Sequence, residues 1–123
     1  YTGGNYYYLL KLKNLAAADA AEPNKSEAYR HLDVTVLHKL ILEKYLGIDE
    51  DNMKNQTNLV YMREAADAVA AVQSGEYQCA FLINPTKISE IRAVASAGEK
   101  MPQKSTYFWP KLITGLVLNK FDD

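Results

Sequence analysis

The chain has 123 residues, of which 48% are apolar and 24% charged, with a formal net charge of −1. These totals fit one globular domain with enough chain for a core. They argue against nucleic acid or an anionic membrane as a partner of the domain as a whole, and no apolar run reaches the ~18 residues of a membrane-spanning helix.

The first element follows Gly3-Gly4-Asn5, a turn-like stretch of the kind that joins hairpin strands. Residues 6–13 then read as a strand. Tyr6, Tyr8, Leu10 and Leu12 fall on one face, and Lys11 and Lys13 end the other. The three consecutive tyrosines suit a half-buried pleated surface, with a stacking platform for bases or sugars as the sharper alternative. Because the chain starts with Tyr1 directly before this turn, it reads as the C-terminal part of a longer protein.

Alanines over 15–21 predict a short helix, stopped by Pro23, and Ser26 is placed to cap the next turn. A longer helix is expected from Asp33 to Leu46. Its apolar face would be Val34, Leu37, Leu40, Ile41, Tyr45 and Leu46, with Gly47 as its stop. His38 shares the side of Leu37 and Ile41, which fits a core imidazole better than a ligand or base. His31 and His38 are seven positions apart and no cysteine joins them, so the pattern does not predict a metal site. Residues 49–52, Asp-Glu-Asp-Asn, lack the spacing, glycine and closing glutamate of a calcium loop and read as a solvated connection.

Residues 58–62 read as a strand, 64–74 as a helix closed by Gly75, and 77–83 as an apolar strand buried on both faces. That last run holds the single cysteine, Cys79, expected as a buried thiol. A helix over 86–97 follows, capped by Asn84 or Thr86, with Ile88, Ile91, Val94 and Ala95 inward. Residues 105–109 and 114–118 complete the pattern as short strands. Strands alternating with helices predict an α/β fold: a mixed sheet of about five strands with helices packed on it, in a single compact domain spanning 1–123.

The stretch from Met101 to Lys111 is compositionally odd, with prolines, lysines, hydroxyls and three adjacent aromatics. Extended by the three residues before it, its first part, Gly98 to Ser105, approaches the phosphate-loop pattern but fails it twice. Gln103 stands where the wrapping glycine is needed, and the order is helix, loop, strand rather than strand, loop, helix. From residue 100 to 121 there are four lysines and no acid, whereas thirteen of the fifteen acids lie between Asp19 and Glu99. Lysines also block exposed strand edges, so the bias has a structural reading too. The candidate ligand-binding residues are therefore Lys104, Ser105, Thr106 and Lys111, able to hold a phosphate or carboxylate by charge-assisted hydrogen bonds. Arg30, Asp33 and His38 form a second group. The residues name no catalytic set, no metal and no cofactor.

Three stretches together resemble the prokaryotic family of unknown function numbered 1015: Leu32 to Ile48, Ala80 to Thr86, and above all Met101 to Leu116. The resemblance is to the C-terminal part of that family. Its upstream part carries an Asp-Gly-His-His-Arg motif similar to the ParB/sulfiredoxin-like superfamily, which includes nucleotide-using enzymes, and that motif is not in this sequence. The resemblance implies the C-terminal domain of a cytoplasmic enzyme that binds an anionic ligand together with an upstream domain. The alternative is a structural or interaction domain with no ligand site of its own, docking on that upstream domain or on a second copy as a homodimer.

Overall fold

The computed structural model describes residues 1–106. The order is α1 (Ala16–Ala21), α2 (Glu27–Arg30), α3 (Asp33–Leu37), a π-helical segment (His38–Glu43), α4 (Lys44–Leu46), α5 (Glu50–Asn55), α6 (Ala65–Gln73) and α7 (Ile88–Ser96). Among the described residues no strand forms, which overturns the expected α/β fold with its five-stranded mixed sheet. The reason lies in the backbone. An extended run becomes a strand only when a neighbour supplies a ladder of donors and acceptors. No backbone hydrogen bond joins residues 6–13 to another described residue. Among the described residues, 77–83 make one bond back to α6, Tyr77 N to Ala71 O (3.2 Å), and one exchange with the N-terminus: Ala80 N donates to Tyr1 O (2.9 Å) and Tyr1 N donates to Ala80 O (2.8 Å). That is the pattern of one antiparallel pair, and it goes no further. The expected strands at 105–109 and 114–118 fall wholly or mostly outside the described residues.

The helices keep their local signals. Ser26 caps α2, its Oγ accepting from Tyr29 N at 3.2 Å. The side chain of Glu99 accepts from Ser26 N (3.1 Å) and from Ser26 Oγ, and so ties the end of α7 to the start of α2. Asp49, expected in a solvated connection, instead caps α5 by accepting from Asn52 N at 2.9 Å. At α7 the cap is Lys87 rather than Asn84 or Thr86, and Glu90 reaches back to accept from Lys87 N at 2.7 Å.

The long helix expected from Asp33 to Leu46 is continuous in path but not in pitch. The π-helical turns at its centre retard the apolar face. Residues 34, 35, 38 and 42 are the buried ones, and Leu42, absent from the expected stripe, is 2% exposed. Tyr45, expected inward, is 73% exposed. Gly47 adopts φ +66° and turns the chain so that Ile48 N donates to Leu42 O at 2.9 Å. Ile48 thereby joins Leu42 and Met53 in one of two small cores, with Leu37, Leu59 and Phe81 against it. The other core is Leu32, Val34 and the fully buried Val94, with Ala28, Tyr29 and Met101 packed on it.

The shifted face makes a paired prediction. Leu42→Ala removes a side chain from the centre of a core and is expected to cost about 2–5 kcal/mol. Tyr45→Ala, on the solvent side, is expected to cost less than about 0.5 kcal/mol. Denaturant unfolding of both variants checks it, and equal losses would contradict the π-helical register.

Candidate functional site

The polar loop singled out in the sequence is anchored at its start and polar at its tip. Met101 packs on the Leu32–Val34–Val94 core. Ser105 N then donates to Pro102 O (3.4 Å), closing a tight turn, and Ser105 Oγ donates to the same oxygen at 2.6 Å. Lys104, at the third position of that turn, has φ +57°. This is the left-handed region, costing a side-chain-bearing residue about 1–2 kcal/mol. From the approach to α7, Thr86 Oγ1 donates to Ser105 O at 2.8 Å and fixes the loop's far side. Thr86, one of the two residues expected to cap α7, is thus a loop tether.

The structure places Lys104 and Ser105 side by side in one turn, with Thr106 next to them. Lys104 is exposed, and Ser105 and Thr106 are half-buried. The Ser105 hydroxyl proton is committed to Pro102 O, so its lone pairs are what remain for a ligand. Lys111 lies outside the described residues.

The second group does not converge. Arg30 Nε donates to Asp19 Oδ1 at 2.8 Å, and its Nη1 donates to Lys25 O at 2.6 Å. His31 Nε2 lies 2.9 Å from the same Asp19 oxygen, with Nδ1 3.8 Å from Glu27. The hydrogen bond from Arg30, and then that from His31, hold the Asp19 carboxyl below its ordinary range. Asp33 instead accepts from Asn84 Nδ2 at 2.9 Å. His38 is buried, and burial, then the Lys39 charge, push its imidazole below the usual range. An open cleft of about 410 Å³ between α2 and α7 is lined by Glu27, His31, Leu32, Ser89, Glu90 and Ala93. Its two carboxylates give it the wrong sign for an anion, and Lys104 does not reach it. Among the described residues no group of three or more His, Cys, Asp or Glu is placed to hold a metal ion.

Lys39 sits where helices meet. Its Nζ is within 3.0 Å of Glu22, Glu43 and Glu50 carboxylates, and its side chain is 18% exposed. The three hydrogen bonds outweigh burial and raise its pKa.

The unusual surface is apolar. Tyr6, Tyr7, Tyr8, Leu9 and Leu10 are consecutive and each 58–92% exposed. Tyr7 lines a groove with Ala66, Val69 and Ala70 of α6 and Leu82, and its ring lies 4.8 Å from that of Tyr1. Tyr6 and Tyr8 meet edge to face at 5.3 Å, with Tyr8 Oη donating to Tyr6 Oη at 3.3 Å. Leu82 and Ile83, expected to be buried on both faces of a strand, are exposed, as is Cys79. No family model, curated protein or solved structure matches the chain.

Two ionisable groups give measurable expectations. Lys39→Met leaves Glu22 and Glu43 without their cation and is expected to cost about 1–3 kcal/mol at neutral pH. Lys39 is the leading cause that holds Glu50 below its ordinary pKa, so this stabilisation is complete above the unfolded carboxyl's ~4.3 and is lost as pH falls through the folded value. The gap between variant and wild type therefore narrows in acid. For His38 the shift has the same sign, from burial of the imidazole rather than pairing of the carboxylate. Its folded pKa is depressed, so the unfolded chain takes the proton first and stability falls as pH drops through about 6.5. His38→Gln is expected to flatten that part of the stability–pH curve, measured by denaturant titration at each pH.

Proposed function

We propose that the chain is a protein-interaction domain that docks through the apolar run at residues 6–10. The observation that carries this is the exposure of five consecutive large apolar side chains with no backbone partner among the described residues. Such a run offers both apolar area and a row of main-chain donors and acceptors, the two elements of strand addition to a partner. Neither of the two small cores among the described residues includes a residue of this run.

The anionic-ligand reading rests on Lys104, exposed on its turn beside Ser105. With the Ser105 and Thr86 hydroxyls donating inside the loop, the remaining attraction in this turn is that of one solvated ammonium, which is weak. Docking is the better-supported of the two. On the resemblance to family 1015, the domain works in the cytoplasm as part of a larger protein. No helix among the described residues is long and apolar enough to cross a membrane.

A photo-crosslinking residue in place of Leu9 tests the docking reading in cells. The expected result is a discrete protein adduct that is lost when Tyr8→Lys is added and is not formed from the same probe at the exposed Lys54. Equal labelling from both positions, or none from Leu9, would overturn it.

A further inference from the structure

We infer that α1 is a charge-latched strap, able to lift from the rest of the chain as a unit while the two apolar cores stay folded; the inference is independent of the docking reading. α1 is six residues long, below the ~12–15 at which a helix holds its shape alone, so contacts outside it keep it helical. Packing supplies little of that contact. Its single buried side chain is the methyl of Ala18, while Ala16, Ala17, Ala20 and the preceding Leu15 are exposed. What remains is charge. Asp19 Oδ1 accepts from Arg30 Nε at 2.8 Å and lies 2.9 Å from His31 Nε2. Glu22, the residue that ends α1, lies 3.0 Å from Lys39 Nζ. Among the described residues, every other hydrogen bond of residues 14–22 stays within residues 14–25.

The partners in both joints stay in place without α1. Ser26, at the start of α2, is clamped by Glu99, and Ala28 and Tyr29 pack on the core of Leu32, Val34 and Val94. Lys39 keeps Glu43 at 3.0 Å and Glu50 at 2.9 Å when Glu22 leaves. One side of each joint thus belongs to a body held by its own contacts, and the other to a helix held by the joints. That is the condition for a local opening well below the free energy of global unfolding. The two joints differ in grip. The Asp19 carboxylate is 41% exposed and screened by salt, whereas Glu22 and Lys39 are 19% and 18% exposed and screened less. Glu22 is therefore the catch, and ionic strength sets how much Asp19 adds to it. Lifting α1 also uncovers the Arg30 guanidinium, a cation that Asp19 offsets in the closed form.

Thiol labelling with N-ethylmaleimide checks this, in a Cys79→Ser background that removes the exposed native thiol. Ala18→Cys reports the lifting of α1, and Val94→Cys, at a fully buried site, reports unfolding of the body. Ala18→Cys is expected to react at least about tenfold faster than Val94→Cys. In low urea its rate is expected to stay nearly level while that of Val94→Cys climbs, because α1 exposes little surface on lifting. Adding Glu22→Gln to Ala18→Cys is expected to speed its labelling about threefold or more, and raising salt from about 0.05 to about 0.5 M is expected to speed it as well. Amide exchange of the unsubstituted chain, residues 16–21 against 88–96, makes the same comparison without new cysteines and replaces it if Ala18→Cys alters the helical circular dichroism. Equal rates with equal urea dependence at α1 and α7, or labelling at residue 18 that Glu22→Gln or salt fails to speed, would overturn the strap.

Discussion

The Lys39 ammonium has three protons and meets three carboxylates, those of Glu22 beyond α1, Glu43 in the π-helical segment and Glu50 at the first turn of α5. Around it the apolar cores are small: one centres on Leu42, the other on Val94. Neither core includes a residue of α1. α1 buries Ala18, and the pair formed by Glu22 and Lys39, both mostly shielded from solvent, joins its end to the long helix. Shielding keeps the attraction from being screened as a surface pair would be. A second electrostatic joint, Asp19 with Arg30 and His31, fixes the other side of α1 to α2. The N-terminal half is therefore oriented by charge where it is not oriented by packing.

The non-helical segments obey a different constraint. A helix satisfies its own backbone, whereas an extended run depends on a neighbour. Among the described residues, 6–13 have none, and 77–83 have the exchange of Ala80 with Tyr1 and one bond from Tyr77 N to the end of α6. Exposed backbone can be satisfied by water, so these runs are tolerated, but their side chains are tyrosine, leucine and isoleucine rather than loop residues. That mismatch between a solvated backbone and an apolar side-chain set is why the functional reading centres on residues 6–10 and not on the more polar Lys104 turn.

How much of this was legible in the sequence depends on how local each signal is. α6 and α7 were readable from their periods and from Gly75 and Gly98, both of which take positive φ. The Ser26 cap was readable because its partner is three residues away. α5 carried a valid signal, Asp49 followed by acids in its first turn. It was read as a connection because Met53 is its only buried side chain. The strands failed for the converse reason: alternation and aromatic content describe a fit to a pleated neighbour and do not supply one. Within the candidate loop, an unusual composition marked the place. The bond from Thr86 to Ser105 spans nineteen residues, however, and the left-handed backbone falls on a lysine, where no propensity would put it.

The π-helical segment from His38 to Glu43 widens an otherwise α-helical path, with i→i+5 in place of i→i+4 bonds. An insertion inside an established helix rotates everything beyond it by about 100°. Here the six-residue segment widens the helix locally, and Gly47 and Ile48 arrive beneath Leu42. A related chain lacking one residue in this interval would be expected to keep the same caps at both ends while regaining an ordinary helical stripe between them. Variation in length across this interval would then leave the joint at Lys39, and not the helix ends, to be rebuilt.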